Sequence, residues 1–203
     1  MTRANRQYFA HGVWHITQRC HDKKFLLRFA LDRDYWRLCL FEACRRYEFR
    51  VLNYIATSNH VHLIVACDDT ETVPRAMQYI SGRTAQNYNR RKNRRGAFWE
   101  DRYHAVPIET RAHFFQCLTY VDLNMVRAGV VSHPQDWQWA GYNEIQRPRN
   151  RYRIIDLDRL LAVAQVDSLS DLQISHRSWV SEKLSCEPLL REPQWTTLPA
   201  SNK

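Results

Sequence analysis

The sequence contains no apolar run of membrane-spanning length, no Cys-x-x-Cys pair, no internal repeat and no glycine-rich phosphate loop. These absences speak in turn against a transmembrane helix, a zinc ribbon or dithiol redox centre, a repeat architecture, and P-loop nucleotide hydrolysis. The first residues, Met1-Thr2-Arg3-Ala4-Asn5-Arg6, lack the hydrophobic stretch of a secretory signal, so a cytoplasmic protein is expected. Cys20, Cys39, Cys44, Cys67, Cys117 and Cys186 mostly neighbour apolar residues, as buried thiols do in a reducing compartment. Acidic residues are also scarce. Among 203 residues, 21 Asp and Glu face 30 Lys and Arg, giving a net charge of +9. With 44% hydrophobic and 12% aromatic residues, the chain has the material for a packed core, and general disorder is excluded.

The excess charge is localised. From Arg151 to Lys203, seven basic residues balance seven acidic ones, so all of the +9 lies in residues 1–150. Between Arg83 and Arg102, seven basic residues (Arg83, Arg90, Arg91, Lys92, Arg94, Arg95 and Arg102) face two acidic ones, Glu100 and Asp101. A concentrated basic stretch in a folded chain points to a polyanionic partner, with nucleic acid ahead of a membrane surface.

Residues 12–19 alternate as a strand, and Asp32 or Asp34 begins a helix that runs to about Tyr47. Val51–Ala56 and His62–Ala66 form two β-rich runs around the turn-like Thr57-Ser58-Asn59, which predicts an antiparallel pair. A helix with Pro74 in its first turn follows into the arginine run, then a short strand over 103–108. Thr110 caps a helix from Arg111 to about Arg127, which Gly129 stops. This order predicts an α+β fold: a ferredoxin-like antiparallel sheet with helices packed on it, plus a C-terminal extension. The expected division is a domain over residues 1–145 and a partly helical extension over 146–203. The polar Gln146-Arg147-Pro148-Arg149-Asn150 lies at the join, and a helix is expected near 157–166.

His60-Val61-His62 opens the second strand of the hairpin, and the two-residue period puts both imidazoles on one face, able to converge on an ion. Chance supplies about 0.4 such pairs in a chain of this composition, so the pattern needs a partner. The helix from Arg111 offers one. Beside its apolar face runs a stripe of His113, Gln116, Tyr120, Asn124 and Arg127, at spacings of three and four.

Ser58-Asn59-His60-Val61-His62-Leu63-Ile64-Val65 resembles the HUH motif of the single-tyrosine HUH transposases. Tyr120-Val121-Asp122-Leu123-Asn124-Met125-Val126-Arg127-Ala128-Gly129 is similar to the helix that carries their nucleophile, in the form found in REP-associated tyrosine transposases. Gly96-Ala97-Phe98-Trp99-Glu100-Asp101-Arg102-Tyr103, Trp137-Gln138-Trp139-Ala140-Gly141-Tyr142 and the opening Trp14-His15-Ile16-Thr17-Gln18-Arg19 agree, in order, over residues 8–145. Met125 stands where the family commonly has proline, and Cys20 where it often has glycine.

The resemblance implies single-stranded DNA cleavage and rejoining, in which Tyr120 attacks the scissile phosphate to give a 5′-phosphotyrosine and a free 3′-hydroxyl. Such a covalent intermediate conserves the bond energy for rejoining without ATP. Because an ordinary tyrosine has a pKa near 10, the phenol needs activation. His60 and His62 are expected to hold a divalent ion, Mg²⁺ or Mn²⁺, and Asn124 is the third ligand by resemblance. The basic run, Arg83 to Arg102, is expected to contact DNA phosphates, with Tyr88, Phe98, Trp99 and Tyr103 stacking on unpaired bases. By resemblance the partner is hairpin DNA, without a membrane role, and the expected location is the cytoplasm, associated with the nucleoid. A monomer is favoured over a homodimer, since the extension resembles the REP-associated type. Two other readings stay open at this point: a domesticated protein that binds hairpins without cutting them, and a metal-dependent hydrolase using the two histidines.

Overall fold

The computed structural model describes residues 11–185. Four strands, β1 (Gly12–Arg19), β2 (Arg50–Ala56), β3 (His60–Cys67) and β4 (His104–Pro107), form one sheet in the order β2-β3-β1-β4. All three pairings are antiparallel. Helix α1 (Ala30–Tyr47) connects β1 to β2 and α2 (Thr72–Arg91) connects β3 to β4, so two strand-helix-strand halves interleave. This is the expected ferredoxin-like arrangement.

Both sheet faces are covered, which is why β2 and β3 read as continuous apolar runs rather than alternating ones. On one face Trp36 of α1 packs on Tyr54, and Ser81 of α2 donates a hydrogen bond to Gln18. The other face carries α3 (Arg111–Asp122), joined to β2 by Asn53, whose amide donates to the Leu118 carbonyl and the Asp122 carboxylate. The Thr110 hydroxyl accepts from the His113 amide and caps α3 as expected.

Two element boundaries depart from the sequence expectations. Helix α1 starts at Ala30, because buried Asp32 is paired with Arg91 rather than capping backbone amides. The helix expected to run from Arg111 to Arg127 breaks at Leu123, whose amide is shared between the Thr119 and Val121 carbonyls; one further turn, α4 (Asn124–Arg127), follows. Gly129, at φ +68°, then ends it in the left-handed conformation. Two further helices form: the short α5 (Tyr142–Gln146) and the long α7 (Leu169–Ser185), which follows the expected α6 (Leu157–Ala164).

Residues beyond 134 close the outer edge of β2. Ala56 donates to the Trp139 carbonyl and Gly141 to the Tyr54 carbonyl, and Asp156 donates to the Val51 carbonyl. Any Cβ at position 141 would overlap the Asn53 side chain and lie 3.2 Å from the Tyr54 amide nitrogen, so glycine is required there. Ile155, Leu157, Leu160 and Leu172 join the same core as the sheet. Cys20, Cys39, Cys67 and Cys117 are buried and Cys44 is half-buried, all as free thiols. Burial pushes the Cys20 and Cys117 thiols up to about 12. Cys186 lies outside the described residues. No described helix is long and apolar enough to cross a membrane.

Candidate active site

The site forms between the sheet and α3, on the face opposite α1 and α2. Antiparallel register sets Thr17 opposite His62 and Arg19 opposite His60. Directly opposed residues share a face, so His15, Thr17 and Arg19 of β1 stand on the same side as both histidines.

The His60 and His62 ring centroids are 4.9 Å apart and nearly perpendicular. His60 Nδ1 lies 2.7 Å from Asn59 Oδ1 and 3.0 Å from Thr57 Oγ1. The Thr57 hydroxyl itself donates to the His60 carbonyl, so it accepts from the ring, and the resulting tautomer puts the His60 lone pair on Nε2. His62 Nδ1 lies 3.0 Å from Nε2 of His15, and its Nε2 lies 3.2 Å from the Asn124 side-chain amide. Sequence reasoning gave His15 no role. Its signal was positional: a polar, aromatic side chain two residues from Thr17 on the face that β1 shares with β3.

Tyr120 completes the cluster. Its ring lies 5.6 Å from His62 and 6.0 Å from His15, edge-on to each. The Arg127 guanidinium carbon stands 4.9 Å from the Tyr120 ring centroid. The four-residue spacing of Tyr120 and Asn124 survives the break at Leu123, so both still face the histidines. Tyr120 is 4% exposed and His62 3%, a more enclosed tyrosine than a polar helix flank would provide. Further along α3, His113 is half-buried and Gln116 exposed. Burial holds the His113 imidazole below its ordinary pKa.

The donor set can be tested for a divalent ion. Among the described residues no group of three or more His, Cys, Asp or Glu side chains is placed to hold one. Any ion here would therefore rest on two neutral imidazoles and an amide. That set fits. Hydrogen bonds at Nδ1 orient both rings, and a half-turn of the Asn124 amide places its oxygen beside His62 Nε2. The 3.2 Å between these positions is close to the roughly 3 Å between adjacent ligands of an octahedral ion bound at about 2.1 Å.

The basic run divides. Arg91 pairs with buried Asp32, and Arg94 donates to the Asn89 side chain and the Gly96 and Ala97 carbonyls, bracing the loop after α2. Arg83 faces α1, near Tyr35, Tyr79 and Glu42, whose charges raise its pKa. Arg90, Lys92, Arg95 and Arg102 are exposed. The loop beyond α2 passes the end of β1 that carries Arg19, through hydrogen bonds from Glu100 to the Arg19 carbonyl and from His21 to the Phe98 carbonyl. The aromatic residues expected to meet bases turn inward. Phe98 is buried between Tyr88 and Trp99, and the Trp99 indole donates to the Ser81 carbonyl. Tyr103 is half-buried against the core.

Behind the site, a fully buried pair joins α3 to α7. His176 Nε2 lies 2.6 Å from the Asp122 carboxylate, whose other oxygen accepts from Asn53. His176 Nδ1 lies 3.0 Å from the Gln146 amide. These contacts fix the helix between Tyr120 and Asn124.

Residues 9–124 match the family model described as IS200-like transposase. Among solved structures, a REP-associated tyrosine transposase bound to a REP hairpin aligns over 77% of this chain and 94% of that one, with a TM-score of 0.57 and 17% identity. A chain from Deinococcus radiodurans R1, described as a candidate transposase, aligns over 57% of this chain and 94% of its own, with a TM-score of 0.40 and 15% identity. No curated protein matches the sequence.

Proposed function

The chain belongs to the IS200-like transposase family, and from that premise we propose that it cleaves and rejoins single-stranded DNA at hairpins, with Tyr120 as nucleophile and His60, His62 and Asn124 holding Mg²⁺ or Mn²⁺. The observation that carries this reading is the convergence, within one chain, of Tyr120 on the His62–Asn124 pair. The solved transposase that shares the fold is bound to a REP hairpin, which agrees with the substrate class.

In the proposed reaction the Tyr120 oxygen bonds to phosphorus as the bond from phosphorus to the 3′ oxygen breaks. The phenolic proton is lost, and the departing oxygen takes up a proton to become the 3′-hydroxyl. A bound divalent ion would polarise the phosphate and stabilise the charge that develops on it. Arg127, beside the tyrosine ring, adds positive charge where the scissile phosphate would approach. Enclosure of Tyr120 keeps water from the covalent intermediate, which favours rejoining over hydrolysis. Exposed Arg90, Lys92, Arg95 and Arg102 bind phosphates and hold the strand in register.

The test is incubation of the full chain with labelled hairpin DNA bearing single-stranded flanks, with Mn²⁺ or with chelator. Cleavage that requires the ion and is lost in His62→Ala while hairpin binding persists is expected. Ion-independent cleavage contradicts the metal assignment, and wild-type binding without cleavage identifies a hairpin binder.

A further inference from the structure

Phe25 and Phe29 are 65% and 56% exposed, and Leu31 follows them, also exposed. All three lie in the β1–α1 connection and its first helical turn. Apolar groups shown together to solvent in this way mark an interaction surface.

The connection is held fast beside the metal-site turn. Leu27 donates to the Ser58 carbonyl at 2.9 Å, and the Asn59 amide donates to the Lys23 carbonyl at 3.0 Å. From within, buried Arg33 donates to the Leu27 and Arg28 carbonyls at 2.8 and 2.7 Å while lying 3.8 Å from the Trp139 ring centroid. The two rings are thus displayed by a braced loop anchored to the residues immediately before His60. Cations accompany them. Lys92 Nζ lies 5.1 Å from the Phe29 ring centroid and the Arg28 guanidinium 5.8 Å from it.

We propose that Phe25 and Phe29 form a stacking platform for unpaired DNA bases, with Arg28 and Lys92 on the adjoining phosphates, guiding the single strand toward His60 and His62. This rests on the DNA-processing reading of the site. Exposed aromatic faces alternating with cations are the chemistry of single-strand binding: rings take bases of any identity, and cations track the backbone. A paired stem hides its base faces, so the platform distinguishes the unpaired flank from the hairpin itself. It also supplies the stacking surface that Tyr88, Phe98 and Trp99, packed against one another, do not.

The test measures equilibrium binding of the full chain, in chelator, to a blunt hairpin and to the same hairpin with a single-stranded tail. The wild type should prefer the tailed form. Phe25→Ser/Phe29→Ser should weaken tailed-hairpin binding at least tenfold and leave blunt-hairpin binding within about twofold, since both side chains lie at the surface. Phe29→Trp should retain the affinity and show indole fluorescence quenched by the tailed form. Equal losses on both hairpins, or no loss on either, overturn the platform. So does a double variant that instead loses binding to phosphatidylserine vesicles or changes its sedimentation, which would assign the patch to a membrane or to a second copy. If the wild type binds neither hairpin, the DNA-processing reading falls and the platform with it; if it binds both and the double variant matches it, the platform alone falls.

Discussion

His62 occupies the centre of the site, with one ring nitrogen facing His15 and the other Asn124. A partner on the far ring nitrogen fixes a ligand's tautomer and orientation and raises its basicity. His15→Ala should therefore weaken Mn²⁺ binding about tenfold or more, measured by titration in the absence of DNA; unchanged affinity would deny His15 a positioning role. His60 and His62 were legible because strand periodicity alone puts them on one face, and Tyr120 and Asn124 because helix spacing does the same. His15 was not, since its role depends on β1 and β3 being neighbours in space. The exposed Phe25 and Phe29 were hidden for a related reason: an aromatic residue in a loop carries no periodic signal to tell surface from core. Arg91 and Arg94 illustrate the reverse limit, because a cation in a basic run looks alike whether it faces solvent, a buried aspartate or loop carbonyls.

At the scale of elements, α3 is both a packing surface and the carrier of Tyr120, the proposed nucleophile. Its outer end is tied to β2 through Asn53 and to α7 through the Asp122–His176 pair. Removing one partner leaves the other buried and uncompensated, so His176→Ala should lower stability by about 3 kcal/mol or more, read from urea unfolding. A loss below about 1 kcal/mol would mean the pair does not secure the helix. Helix α7 had a sequence signature in Ser168 and Asp171, where the serine hydroxyl accepts from the Asp171 amide, a spacing typical of helix starts. Its periodic signal is weak because the inward residues, Leu172, His176 and Val180, include a histidine that interrupts the apolar period. The four strands and first two helices were readable because their patterns are long and local. The break at Leu123 is a matter of two carbonyls sharing one amide, and composition gives no notice of it.

In the whole molecule, the neutral stretch beyond residue 150 differs in character from the basic region before it, yet Ile155, Leu157 and Leu160 pack into the sheet's core. Those contacts, with the α3–α7 pair, press the tyrosine helix onto its own sheet. A site assembled within one chain cannot be restored by subunit exchange. Mixing Tyr120→Phe with His62→Ala should consequently yield no cleavage activity, whereas substantial recovery would show that the tyrosine is donated across a dimer. The basic character of the chain also acquires a direction. Arg90, Lys92, Arg95 and Arg102 face solvent around the sheet end that carries Arg19 and His60, so DNA affinity should fall steeply with salt.

The most direct measurement is isolation of the protein–DNA adduct after denaturation, followed by proteolysis and mass spectrometric location of the linked nucleotide. The account predicts a 5′-phosphate ester on Tyr120, formed with Mn²⁺ present and absent from Tyr120→Phe. Linkage to another residue, or an adduct that persists in Tyr120→Phe, would contradict it.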